Sequence, residues 1–198
     1  MRLPSDLEIR SLHERFAPDP IAFDLVHTHC AIVAEIAAQL IARDHLDVDA
    51  DLVRAGCLLH DIGVYRLHRT DGSFDHENYV RHGILGDELL RELGLPELLC
   101  RFCSRHTGVG ITRDDIRRQS LPLPPADYVA RSPEERLVMY ADKFHSKSTP
   151  PHFLTAATYR SKVSEFGPDK AAAFAAMVTE YGEPDLEPLV AAYGHAPC

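Results

Sequence analysis

Apolar residues recur along this chain at three- and four-residue intervals, a period that belongs to helices rather than strands. Residues 22–43 carry Phe23, Val26, Val33, Ile36, Ala37, Leu40 and Ile41 on one stripe. Asp49 is placed to cap a second helix bearing Leu52, Val53, Ala55, Leu58 and Leu59, with Gly63 positioned to end it. The polar run from Arg66 to His76 reads as loop. A helix over 77–93 follows, stopped by Gly94-Leu95-Pro96, and the same proline starts a helix over 96–106. Thr112 opens a short helix through Arg118 before Pro122, Pro124 and Pro125 break the pattern. Ser132-Pro133-Glu134-Glu135 combines a capping serine, a proline at the first helical position and a glutamate at the third, a strong helix start. That helix carries Leu137, Val138, Tyr140 and Asp142. Helices over 151–166 and 169–181, separated by Gly167-Pro168, and a short one over 185–193 complete the series. The expectation is an all-α fold: one compact helical bundle spanning 1–198, with its core over 22–146 and a helical extension over 150–193.

Composition narrows the partners. With 198 residues and 45% apolar content, the chain supports one sizeable core and is short for two. A formal charge of −9 argues against a nucleic-acid polymer, although a local cluster of cations can still hold a small anion. No apolar run comes close to the roughly 20 residues of a membrane span, and the opening Met-Arg-Leu-Pro-Ser lacks the apolar stretch of a secretion signal. A cytoplasmic protein with no membrane partner is expected. Five cysteines, an odd number with no small-domain framework, read as reduced thiols, and Cys100-Arg101-Phe102-Cys103 reads as packing inside a helix.

Some polar residues do not fit the packing pattern. His29 lies three residues after Val26 and four, seven and eleven before Val33, Ile36 and Leu40, so it shares their buried stripe, whereas His27 points elsewhere. His60-Asp61 closes an apolar helix. His82 shares a face with Leu85 and Leu89, with Gly86 leaving room for close packing, and His106 follows Leu99, Phe102 and Cys103 at the same spacings. Asp142 follows Val138 and Met139, where a carboxylate is costly unless paired or metal-bound. A metal centre in the core explains the whole set. The plainer readings are a hydrogen-bonded core histidine at His29, local amides or an arginine satisfying Asp61, and a core salt bridge at Asp142.

In order and context these residues resemble the HD-domain metal-dependent phosphohydrolases. The pattern of histidine, then His-Asp, then a distant aspartate falls on His29, His60-Asp61 and Asp142, within Gly56-Cys57-Leu58-Leu59-His60-Asp61-Ile62-Gly63 and Tyr140-Ala141-Asp142-Lys143. His82-Gly83 and His106 resemble the subset with two metals. The resemblance implies one ion held by His29, His60, Asp61 and Asp142 and a second by His82 and His106 with Asp61 bridging, and it makes Asp61 and His60 the catalytic pair. It implies two divalent transition-metal ions, with zinc, nickel and magnesium also compatible; four imidazoles favour iron or manganese over magnesium. The expected reaction is hydrolysis of a phosphomonoester or phosphoanhydride in a small, nucleotide-like metabolite. Arg66, Arg69 and Lys143 are expected to meet its phosphate. His76, Tyr65, Tyr79 and His145 are candidates to contact or protonate its leaving group, with Tyr65 as the base-stacking ring. Two other classes stay open: a mixed-valent di-iron oxygenase of the HD type, and a metal-stabilised binding or scaffold protein. Oligomerisation is left open.

Overall fold

The computed structural model describes residues 2–198, and among them ten α-helices form one continuous buried core that runs from Ile9 to Leu189. The helix period read from the sequence holds, and with it the all-α class. The first helix, α1 (Asp6–Phe16), precedes every helix the apolar pattern identified. Its start is nonetheless written in the chain: Ser5 accepts from the Glu8 amide while the Glu8 carboxylate returns to the Ser5 amide, a reciprocal cap.

Helix α2 (Pro20–Asp44) is the central element, opened by Asp19 accepting from the Ala22 amide. Its buried set extends beyond the expected stripe to Ile32 and Ala34, because neighbours pack on it from several sides. Phe23 and Ile41, by contrast, are only half-buried. By length and composition α2 is also apolar enough to cross a membrane, which corrects the reading that no such run exists; half of that window is buried against the rest of the protein.

Helix α3 (Ala50–Leu59) ends at His60, and the chain continues through a 3-10 turn over Ile62–Leu67. Gly63 therefore does not stop the helix. It lets the turn lie against α4 (His82–Glu92), since a Cβ there would fall on the His82 carbonyl oxygen and the Gly86 backbone. Helix α4 begins later than expected, because residues 75–81 are held in turns by Asp75 accepting from Asn78 and by a 3-10 turn over Tyr79–Arg81. Then come α5 (Glu97–Ser104), α6 (Arg113–Gln119) and α7 (Pro133–Ala141). At α7 the Ser132 hydroxyl accepts from the Glu135 amide as expected, but the Glu135 carboxylate turns away to Arg101 and to the Arg131 amide.

The extension holds α8 (Ala156–Ser164), α9 (Pro168–Tyr181) and α10 (Glu187–Tyr193). Helix α8 is shorter than its periodicity suggested, because residues 152–153 are drawn into a small sheet of β1 (His145–Ser146), β2 (His152–Phe153) and β3 (Ala196–Pro197). Strand β2 pairs antiparallel with β1 and parallel with β3. All five cysteines are free thiols, four of them buried.

Helix α1 braces the turn that follows α3. His13 is fully buried, with Nε2 donating to the Leu58 carbonyl and Nδ1 accepting from the Tyr65 hydroxyl. Burial pushes its pKa down to about 4, so the folded state holds it neutral. Its contribution is fully present above the unfolded pKa near 6.5 and is lost as pH falls through 4, a span of about 3 kcal/mol. A His13→Leu variant is expected to lose about 2–3 kcal/mol at pH 7, with two buried groups left unpaired. Urea denaturation checks this: its gap from the wild type should narrow between pH 7 and pH 4.

Candidate metal centre

Six side chains from five segments converge in the core: His29 from α2, His60 and Asp61 after α3, His82 at the start of α4, His106 after α5, and Asp142 after α7. The four imidazoles and Asp61 are almost completely buried. His29 Nε2 lies 3.0 Å from Asp142 Oδ1, 3.1 Å from Asp61 Oδ2 and 3.2 Å from His60 Nε2. His60 Nε2 is 3.4 Å from Asp142 Oδ1 and 3.5 Å from Asp61 Oδ2. On the other side of the same carboxylate, Asp61 Oδ1 stands 3.5 Å from both His82 Nε2 and His106 Nε2, which are 3.0 Å apart. The two oxygens of Asp61 thus serve two adjacent clusters.

The ring orientations show what faces the centre. His60 Nδ1 donates to the Cys57 carbonyl at 2.7 Å, His82 Nδ1 to that of Tyr79 at 2.7 Å and His106 Nδ1 to that of Phe102 at 3.1 Å. With the proton on Nδ1, each Nε2 presents a lone pair inward, the arrangement by which backbone partners orient metal-binding histidines. Burial above all keeps His82 and His106 neutral, with the His82 pKa lowered to about 3. Burial works against an ionised Asp61, yet the Lys147 ammonium holds its pKa well below the carboxylate range. Asp142 is likewise opposed by burial and held low by the Lys143 ammonium.

Lone pairs and carboxylate oxygens facing one another at these distances repel unless a cation lies among them. Neither Asp61 oxygen has a hydrogen-bond partner despite complete burial. The Lys147 ammonium rests against Asp61 Oδ2 without hydrogen-bond direction. Ligands about 2.0–2.2 Å from a metal lie about 2.9–3.6 Å from one another in tetrahedral or octahedral sites, and the observed spacings fall in that range. The donor set fits divalent metal in both clusters. With three protein donors, the second cluster leaves positions for other ligands.

Beside the centre opens a cleft of about 830 Å³ between the start of α2, the segment around Phe74–Tyr79 and the loop over 146–149. Its lining includes the apolar Ile21, Leu25, Val26 and Val64 and the cationic Lys143, Lys147 and Lys162. Of the residues expected to meet substrate, His76, Tyr79, Lys143 and His145 line this cleft. The Lys143 ammonium is largely committed, to Asp142 Oδ2 at 2.5 Å and the His106 carbonyl at 3.0 Å. Arg66 and Arg69 do not line it. Arg66 pairs with Glu92, and Arg69 pairs with Asp75 at 3.0 Å, both at the surface. The 3-10 turn after Asp61 is the reason: it buries Val64, Tyr65 and Leu67 and rotates Arg66 outward. Tyr65 is buried against His13 and is not a stacking ring in the cleft. His145 also meets His29, with the two Nδ1 atoms 2.9 Å apart. His27 stacks on Phe23, and its ring is edge-on to His13. Lys147 and Lys162 were not found from the sequence, because a lone lysine outside a periodic face carries no signal of its own.

This is a helical bundle built around a histidine–aspartate metal site. Residues 26–147, more than half of the chain, match the HD domain family, and the chain belongs to it. An uncharacterized protein of Methanocaldococcus jannaschii is 42% identical over 117 residues, 58% of this chain and 62% of that protein. A tRNA (cytidine(56)-2'-O)-methyltransferase of Picrophilus torridus is 38% identical over 125 residues, 63% of this chain and 33% of that protein. This chain therefore spans less than two thirds of the first relative and about a third of the second. The HD domain of the L. monocytogenes phosphodiesterase PgpH superposes with a TM-score of 0.51 at 14% identity, covering 95% of this chain and 88% of that one, a likeness of fold.

Proposed function

We propose that the protein is a metal-dependent phosphohydrolase that cleaves a phosphomonoester or phosphoanhydride bond in a small, nucleotide-like metabolite. The observation that carries this reading is the split use of Asp61, one oxygen toward each of two adjacent acceptor clusters, whose His29, His82, His106 and Asp142 line a cleft that also carries lysines. Four imidazole donors favour iron or manganese. When bound, two ions there supply a Lewis-acidic pair that polarises a phosphoryl oxygen and makes water a competent nucleophile near neutral pH. Asp61 sets the spacing of the two clusters, and His60 and His29 hold the first cluster against Asp142. Lys147 binds the substrate phosphate, because its ammonium already reaches the Asp61 carboxylate from the cleft side. Lys162 at the mouth meets a more distant anionic group. The apolar residues of the lining, with Phe74, Tyr79 and Tyr159, support a planar leaving group, and the volume is that of a small-molecule site.

The methyltransferase activity named for one relative belongs to a chain about three times the length of the matched segment and is not carried over. An HD-type oxygenase would use the same donors, so oxygen dependence separates the two readings. Protein loaded with iron or manganese under anaerobic conditions is expected to release phosphate from members of a panel of phosphorylated metabolites. Lys147→Ala should keep two metals and lose about 10- to 100-fold in kcat/KM, or about 1.4–2.7 kcal/mol. Turnover that requires oxygen and releases no phosphate without it would overturn the proposal.

A further inference from the structure

His29 differs from the other three imidazoles in how its outer nitrogen is held. His60, His82 and His106 sit at helix boundaries, where a carbonyl three or four residues back accepts from the ring. His29 lies in the middle of α2, where local carbonyls are engaged in the helix, so its partner comes from elsewhere. That partner is His145: the two Nδ1 atoms are 2.9 Å apart and the rings stack with centroids 5.2 Å apart. His145 Nε2 in turn lies 2.9 Å from His195 Nδ1, again with stacked rings, 5.1 Å between centroids.

If His29 Nε2 faces the centre with a lone pair, the tautomers of all three rings follow. His29 carries its proton on Nδ1 and donates to His145 Nδ1. His145 then carries its proton on Nε2 and donates to His195 Nδ1. The extension builds this arrangement. His145 is paired with Phe153 in the sheet and packs edge-on against its ring, with centroids 5.0 Å apart. His195 is delivered by β3, which is fastened by Ala196 pairing with His152, by the Cys198 amide donating to the Phe153 carbonyl, and by the Thr158 hydroxyl donating to the Cys198 carbonyl.

We propose that His145 is a positioning residue for the first metal cluster, holding His29 in the tautomer that ligates, and that β3 orients His145 through His195. This rests on the reading of His29 as a metal ligand. It also gives the helical extension a role at the centre that neither the motif nor the cleft required. Outer partners of metal-bound histidines typically change affinity by 10- to 100-fold when removed.

The test uses the His82→Ala background, which leaves only the first cluster, with zinc in a chelator competition titration. His145→Phe keeps a ring beside Phe153 but removes the acceptor, and should weaken zinc by about 10- to 100-fold with metal-free melting temperature unchanged. His145→Gln restores an acceptor and should return affinity to within a few-fold. Nitrogen-15 spectra of the zinc-loaded wild type should show the His145 proton on Nε2. Wild-type zinc affinity in His145→Phe, or a His145 proton on Nδ1, would overturn the positioning role. Full zinc occupancy in His29→Ala would instead overturn the metal-ligand reading beneath it.

Discussion

Replacing Asp61 with alanine is expected to empty both metal clusters at once and to lower turnover by about 10³-fold or more, some 4 kcal/mol of transition-state stabilisation. The size of the effect follows from the geometry. Oδ2 stands within 3.1–3.5 Å of His29 and His60, and Oδ1 within 3.5 Å of His82 and His106, so no other single residue belongs to both donor sets. His82→Ala should reduce metal content from two toward one, and His29→Ala should do the same at the other cluster, whereas His27→Ala should leave both in place. Elemental analysis of the four variants after reconstitution with manganese distinguishes these patterns. The thermal response gives a second measure. Bound metal raises the melting temperature of the wild type by mass action, and Asp61→Ala should lose that rise. Two metals per chain in Asp61→Ala would remove the basis for the dinuclear reading.

The residues that were legible in the sequence are those whose polarity contradicts their helix phase. His29 among Val26, Val33 and Ile36, and Asp142 after Val138, are conspicuous because an apolar stripe supplies a reference against which an ionisable group stands out. Residues outside such a stripe gave no contrast. Lys147 lies in the loop between β1 and β2, and its meeting with Asp61 is a tertiary fact. Arg66 and Arg69 were misplaced for a related reason. Proximity to His60-Asp61 suggested a shared cavity, but a 3-10 turn has 3.0 residues per turn rather than 3.6, and that change of phase sends Arg66 toward Glu92. Helix α1 is a different case, since the Ser5–Glu8 cap is a local signal that stands in the chain itself. The small sheet was not legible at all, because two-residue strands have no periodicity to read. What the sequence carried was the donor set; what it lacked was His13, Lys147 and the meeting of His145 with His29, each of which acts across a long sequence separation.

Gly63→Ala is expected to be the most damaging single-methyl change in the protein. Gly63 follows Asp61 by two residues, and a Cβ there would overlap the His82 carbonyl oxygen and the Gly86 amide, backbone atoms of α4 that cannot rotate aside. Gly86 is tight in turn, since a Cβ on it would lie 2.9 Å from Cys103 Cβ, so α4 has little room to retreat toward α5. Relief requires the turn and α4 to separate, with a cost of about 3–5 kcal/mol, at the upper end for a point substitution. That separation moves Asp61 away from His82 and, through the contact of α4 with α5, disturbs His106. The first cluster draws on α2 and on the end of α7 and is less exposed to the shift. The variant should therefore show a lower melting temperature and a metal content falling from two toward one, with the remaining ion bound by His29, His60, Asp61 and Asp142. Denaturant melts and manganese titration together check both effects. Wild-type stability with two ions in Gly63→Ala would show that the approach of the turn to α4 does not set the position of Asp61.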